Sequence, residues 1–109
     1  MSALEKVCAT SDVEPGKVKR VILNGIPVAI YNVEGSYYAT ADRCTHARAS
    51  LSQGFLQGFL IECPVHQGAF DIRTGQAVTP PCIKPLQVYS VVIRDNDVYL
   101  GNEAAAQTV

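Results

Sequence analysis

Residues 17–33, Lys17-Val18-Lys19-Arg20-Val21-Ile22-Leu23-Asn24-Gly25-Ile26-Pro27-Val28-Ala29-Ile30-Tyr31-Asn32-Val33, decide the fold reading. Two short runs rich in Val and Ile flank Asn24-Gly25, the strongest two-residue hairpin signal. Residues 17–23 read as one strand and 26–33 as its antiparallel partner. Pro27 stands near the start of the second strand, where a missing N–H does least harm. The same texture continues outward in both directions. Residues 4–8 read as an earlier strand, closed by the turn Glu14-Pro15-Gly16, and Glu34-Gly35 turns the chain into a strand over 36–40 rich in Tyr and Thr. Residues 59–62 and 69–72 are short strands on either side of a tight loop, 63–68, and Arg73-Thr74-Gly75 turns the second. Residues 87–94 and 98–100 form a last hairpin around Asp95-Asn96. Thr79-Pro80-Pro81-Cys82-Ile83-Lys84-Pro85 is a proline-stiffened loop with few N–H donors. No helix of three turns is evident. The pattern predicts an all-β protein, a small antiparallel sandwich or barrel. It is interrupted once by a polar, irregular insertion over about 42–72 that carries both histidines. Residues 1–101 read as a single domain, and 102–109 as a C-terminal tail that is a fraying helix or disordered.

Composition narrows the class. The chain has 109 residues, 48% hydrophobic and 17% charged, with a net charge of −1. That is one domain, too apolar for intrinsic disorder and without the basic excess of a nucleic-acid binder. No apolar run is long enough to cross a membrane. The first residues show no basic patch followed by an apolar stretch, so no signal peptide is expected and the predicted location is cytoplasmic. In that compartment thiols stay reduced, and the four cysteines, at 8, 44, 63 and 82, point to metal binding or burial rather than to disulfides. No repeat is present.

Only two histidines exist, so whatever they do uses up the histidine chemistry of the chain. Cys44-Thr45-His46 is followed after sixteen residues (47–62) by Cys63-Pro64-Val65-His66. Each loop offers one thiolate and one imidazole, a donor set that suits zinc or an iron–sulfur cluster. Zinc would make a closed tetrahedral Cys2His2 site. Zinc fingers, however, pair Cys with Cys and His with His along the chain. A mixed pairing lets each loop give a Cys to one metal and a His to a second, as in a [2Fe–2S] centre in which two His replace two Cys on one iron. A mononuclear oxygenase iron would need two further histidines.

The Cys-x-His and Cys-x-x-His pair resembles the Rieske signature. The likeness runs from about Tyr31 to Leu100 and includes Ala39-Thr40-Ala41-Asp42-Arg43-Cys44-Thr45-His46, Ile61-Glu62-Cys63-Pro64-Val65-His66-Gln67-Gly68-Ala69-Phe70-Asp71 and Thr74-Gly75. The chain is similar to the soluble Rieske-type [2Fe–2S] ferredoxins of bacterial aromatic-ring-hydroxylating dioxygenase systems. Ala47-Arg48-Ala49 departs from the Gly that often follows the first His, and Phe59-Leu60 is more apolar than usual.

The resemblance implies a Rieske-type antiparallel β-sandwich with a smaller cluster-binding subdomain of two loops. It implies one [2Fe–2S] cluster, with Cys44 and Cys63 on one iron and His46 and His66 on the other. It also implies no enzyme activity of the chain itself. Single electrons would pass from a flavoprotein NAD(P)H reductase to a terminal Rieske oxygenase, with no nucleic-acid or membrane partner and a monomeric carrier. Alternatives are the small Rieske-type subunit of a nitrite reductase and a structural Cys2His2 zinc domain. Two ferric ions, two sulfides and two thiolates sum to zero, so the loaded protein keeps the −1 of the chain and gains one negative charge on reduction. Such mild charge suits transient docking. Ala47, Arg48, Gln67 and Pro81 are candidate rim contacts, or simply solvated loop residues. Arg43 and Arg48 either bind a docking partner or keep the tip soluble. Asp71 and Glu62 flank the site as salt-bridge or turn partners. Cys8 and Cys82 read as buried packing residues, with Cys82 near the cluster, and the five tyrosines read as core or cross-strand residues.

Rieske potentials span about −150 to +300 mV. The high-potential members carry a disulfide between the ligand loops and Ser and Tyr hydroxyls against the cluster. The corresponding residues here are Ala49 and Val65, and Gly68 and Phe70, so a low-potential centre is expected. One hydrogen bond favouring the reduced cluster by about 1 kcal/mol shifts a one-electron couple by roughly 40 mV. Phe70→Tyr and Gly68→Ser are therefore expected to raise the midpoint in voltammetry, and unchanged or lowered values would refute this account.

Overall fold

The computed structural model describes residues 4–45, 48–65, 68–80, 82 and 84–104. His46, Ala47, His66, Gln67, Pro81 and Ile83 lie outside the described residues. So do 105–109, the larger part of the tail. Ten strands follow in order: β1 (Leu4–Ala9), β2 (Val18–Leu23), β3 (Ile26–Val33), β4 (Ser36–Ala41), β5 (Phe55–Gln57), β6 (Leu60–Glu62), β7 (Ala69–Asp71), β8 (Ala77–Thr79), β9 (Val88–Arg94) and β10 (Asp97–Ala104). The first four and the last two form a six-stranded sheet in the order β1-β10-β9-β4-β3-β2, and the middle four form a second sheet, β5-β6-β7-β8. Every pairing is antiparallel. Among the described residues the helical content is two short 3-10 turns. The protein is the all-β antiparallel sandwich that the sequence predicts.

Three hairpins share one turn chemistry. Leu23 pairs with Ile26, Val33 with Ser36 and Arg94 with Asp97, each across a two-residue loop. Both loop residues have positive φ in each case: Asn24 and Gly25 at 51° and 81°, Glu34 and Gly35 at 53° and 91°, Asp95 and Asn96 at 51° and 66°. This is the type I′ turn, whose twist matches that of the flanking strands.

The structure differs from the sequence reading at three places. Strands β5 and β8 are not anticipated: unlike the equally short β6 and β7 they bury no residue, so no core-facing side chain marks them in the sequence. The small sheet reaches Thr79, so the insertion does not close at about 72 but returns to the large sheet only at β9. Strand β10 continues to Ala104, where it pairs with Tyr89, so the start of the expected tail, 102–104, is strand.

Alternation along β3 divides the interior in two. Val28 and Ile30 join one apolar cluster with Cys8, Val13, Val21, Leu23, Ala39, Val98 and Leu100. Ala29 and Tyr31, on the other face, join Leu51, Ile61, Phe70, Ile72 and Leu86 between the two sheets. All four β3 residues are fully buried, which explains the near-continuous apolar run that the strand shows in sequence. Polar groups on this wall are satisfied locally. The Tyr31 hydroxyl hydrogen-bonds Thr40 Oγ1 at 2.8 Å, and burial pushes its pKa well above the ordinary tyrosine value. Asn32 Nδ2 donates to Val13 O at 2.7 Å, and its Oδ1 accepts from Gly35 N at 2.8 Å. That side chain clamps the segment before β2 to the β3–β4 turn. Asn32→Ala would strand the Val13 carbonyl and the Gly35 N–H, at a cost of about 2–3 kcal/mol. A denaturation midpoint equal to wild type would contradict this.

Candidate metal centre

The first ligand loop leaves the end of β4 and folds back on itself. Cys44 N donates to Ala49 O at 3.0 Å, Leu51 N donates to Asp42 O at 2.7 Å, and Arg43 bridges to Ser50. Asp42 organises this loop. Its side chain is 4% exposed. It accepts from Ser52 N at 2.8 Å and from Ser50 Oγ, and pairs with Arg20 Nε at 3.4 Å. Its own N–H donates to Pro27 O at 3.1 Å, which ties the loop to β3. Leu51, fully buried, then inserts between the sheets.

The second loop is the tip of the β6–β7 hairpin. Glu62 pairs with Ala69, and Cys63 N donates to Gly68 O at 2.7 Å. A third segment, between β8 and β9, lies against both. Cys82 N donates to Thr79 O at 3.2 Å and Leu86 N to Gly75 O at 2.6 Å. Thr45, which sits between Cys44 and His46 in sequence, donates its hydroxyl to Lys84 O at 2.9 Å and so joins the first loop to the third segment.

These loops bring two predicted ligands together. Cys44 and Cys63 are 3% and 1% exposed, share the inter-sheet cluster, and their thiols are within hydrogen-bonding reach of each other. Burial pushes the Cys63 thiol up, the Val65 backbone N–H pulls it down, and the neighbouring Cys44 raises it again. Two sulfurs side by side, shielded from water, with an amide N–H aimed at one of them, fit iron-bound thiolates, which such donors stabilise. Among the described residues no set of three His, Cys, Asp or Glu side chains is arranged to hold a metal ion. His46 and His66 lie outside them. The predicted rim residue Arg48 is exposed, and with Arg20 and Arg43 it lines a cleft beside the first loop.

Cys8 belongs to the other apolar cluster and has no part in this site. Cys82 is in it. Burial first, then Cys44 and Cys63, push its thiol up to about 12. Gly68 is glycine because a Cβ there would overlap Cys82 Sγ. The Gly68→Ser substitution suggested by sequence is therefore blocked while Cys82 is present. Asp71 is a turn and ion-pair residue: Arg73 N and side chain both donate to it, at 2.9–3.1 Å. That pair holds the Arg73 guanidinium 4.1 Å over the Phe59 ring, itself edge-on to Tyr38, and it keeps the Asp71 carboxyl below the usual carboxylate range. Phe59, which looked unusually apolar in sequence, thus packs the small sheet onto β4. Asp42, Thr45 and the Gly68–Cys82 contact were missed as site residues. Only Asp42, with Ser50 and Ser52 spaced to hydrogen-bond it, left a local trace.

Comparison with known proteins agrees with this geometry. The family model described as Rieske [2Fe-2S] domain matches residues 3–90. The chain is 48% identical to ferredoxin CarAc of Metapseudomonas resinovorans, over 90% of this chain and 92% of that one. It is 42% identical to the biphenyl dioxygenase ferredoxin subunit of Pseudomonas sp. strain KKS102, over 93% and 94%. A solved complex of reduced oxygenase and oxidized ferredoxin in carbazole 1,9a-dioxygenase contains a chain that matches with a TM-score of 0.89. It is 46% identical, with 94% and 96% of the two chains covered. The chain belongs to the Rieske [2Fe-2S] domain family, and its cofactor is a Rieske-type [2Fe–2S] cluster. Within that family it is an electron-transfer ferredoxin and not a catalytic subunit.

Asp42→Ala would remove the charged acceptor of Ser50 and Ser52, a loss of about 1.5–3 kcal/mol. The variant is expected to lose its visible iron–thiolate absorbance faster and to unfold at lower temperature. Wild-type bleaching kinetics would rule out this anchoring role.

Proposed function

We propose that Cys44 and Cys63 ligate one iron and His46 and His66 the other. In this reading the protein carries single electrons from a flavoprotein NAD(P)H reductase to the terminal oxygenase of an aromatic-ring dioxygenase system. The observation that carries the reading is the meeting of Cys44 and Cys63, from loops nineteen positions apart (44 and 63), in one shielded pair. When bound, the cluster supplies one-electron redox chemistry. The chain's own part is to desolvate the thiolates, aim the Val65 N–H at sulfur and hold the ligand loops on a rigid double sheet. Residues 1–101 form one domain in this reading, and the carrier acts as a monomer in the cytoplasm.

An oxygenase partner is supported by the solved ferredoxin–oxygenase complex of a relative. Reductases are implied by the multicomponent systems to which the relatives' names refer. Arg43 and Arg48 are exposed beside the first ligand loop, so an acidic patch on the partner suits the rim, with contacts that weaken as salt rises.

The test has two arms. Cys44→Ser, Cys63→Ser, His46→Ala and His66→Ala are each expected to abolish the electron paramagnetic resonance signal of the dithionite-reduced protein, with its low average g value characteristic of mixed Cys and His ligation. Retention of that signal in any one of them would remove that residue from the ligand set. A colourless, zinc-bearing wild type would instead establish the zinc alternative. Reduction by a flavoprotein reductase followed by re-oxidation by an aromatic-ring oxygenase supports the carrier role. Re-oxidation only by a nitrite reductase would establish the other alternative.

A further inference from the structure

We propose that the outer end of the β2–β3 hairpin and the first ligand loop form one docking face for the terminal oxygenase. In it Arg20, Arg43 and Arg48 receive carboxylates of the partner around an apolar anchor at Ile22 and Pro27. The proposal rests on the carrier role inferred above. Three of the five arginines in the chain line one cleft of about 250 Å³, with Pro27 and Ala49 in its apolar wall. The one carboxylate in the lining is Asp42, and it is already engaged. It accepts from Ser50 Oγ and Ser52 N and pairs with Arg20 Nε at 3.4 Å. Among the described residues Arg43 and Arg48 have no ion-pair partner. The cleft is therefore cationic in a chain whose net charge is −1, and it complements an acidic surface.

The apolar part follows from the register of the hairpin. Arg20 lies opposite Ala29, and Ile22 opposite Pro27. Alternation puts all four on one face of the sheet. The small sheet covers that face at Ala29 and Tyr31. Toward the outer end of the hairpin the cover is incomplete, and Ile22 is 53% exposed across from Pro27 in the cleft wall. An apolar centre bordered by arginines has the composition of a protein interface. A free inorganic anion would make no use of Ile22. Arg43 adjoins Cys44, and Arg48 stands two residues after His46, so a partner held here lies along the first ligand loop. The ion pair with Asp42 holds Arg20 before docking, so less side-chain freedom is lost on association. A relative's ferredoxin is solved in complex with its oxygenase, which makes the oxygenase the occupant.

The experiment is stopped-flow oxidation of the reduced, cluster-loaded protein by the oxygenases of the carbazole, biphenyl and naphthalene systems. The fastest acceptor of wild-type electrons is carried forward, and reduction by the flavoprotein reductase of the same system is measured beside it. Ile22→Glu and Arg48→Gln are compared with Ile93→Glu, a control with the same change of charge at an exposed position of β9. Midpoint, reduced electron paramagnetic resonance spectrum and sedimentation are recorded for each. The wild-type rate constant is expected to fall as salt rises. At low salt Ile22→Glu is expected to be about tenfold slower, and Arg48→Gln about threefold slower, than wild type. Both retain the mixed-ligand signal, Ile22→Glu keeps the wild-type midpoint, and Ile93→Glu transfers electrons at close to the wild-type rate. Equal rates for Ile22→Glu and Ile93→Glu overturn the proposal, as does a wild-type rate that does not fall with salt. A deficit seen only in reduction by the reductase gives the face to that partner and overturns the assignment to the oxygenase. A wild-type dimer that Ile22→Glu dissociates gives the face to a second copy, with the same consequence. A wild type that reduces none of the three oxygenases overturns the carrier role and the proposal together.

Discussion

Burial of β3 on both faces is the constraint on which the rest of the molecule depends. Side chains on a strand point alternately to opposite sides, so a strand with apolar residues at successive positions needs a cover on each. The large sheet, closing on itself, covers Val28 and Ile30. The other face, with Ala29 and Tyr31, is closed by the four-stranded sheet, whose Ile61 and Phe70 join them in one cluster. The insertion is thus part of the fold's own core. Cys44, Cys63 and Cys82 sit in the layer where it meets β3, which makes the site and the inter-sheet packing one structure.

That placement has an electrostatic consequence. Thiols taken out of water resist ionisation, as Cys63 and Cys82 do, and a bound metal must supply the charge that makes thiolates acceptable there. Cluster binding and closure of the small sheet onto β3 are therefore mutually supportive. Asp42 performs the complementary task at the surface side of the first loop. It is a buried carboxylate, and it is tolerable because the Ser50 hydroxyl, the Ser52 N–H and Arg20 satisfy it. In doing so it converts a polar, irregular stretch into a defined one.

The division of labour in an electron carrier follows from this arrangement. Substrate choice needs a pocket and a second metal, and the chain's two histidines are both assigned to the cluster by the reading above. The relatives are named for systems acting on different aromatic compounds, carbazole and biphenyl among them. One small double sheet can serve such systems because what it must deliver is an electron at a set potential through a docking face. The potential depends on a few donors within the site.

What the amino-acid sequence determined by itself is whatever depends on neighbours along the chain. The type I′ turns at Asn24-Gly25 and Asp95-Asn96 follow from residues that tolerate positive φ. The alternation around them marks the large sheet, and Cys-x-His with Cys-x-x-His marks a two-loop metal unit. Strands β5 and β8 were not legible, since these outer strands of the small sheet bury no residue and so show no core-facing pattern. Nor was the meeting of Cys82 with Cys44, or the reason Gly68 lacks a side chain, because those contacts join residues far apart in the chain and depend on how the segment between β8 and β9 lies across the hairpin tip. Local propensity acts through bonded geometry and is written in order along the chain. Steric exclusion and desolvation act through space, and only the folded arrangement of the two sheets decided them.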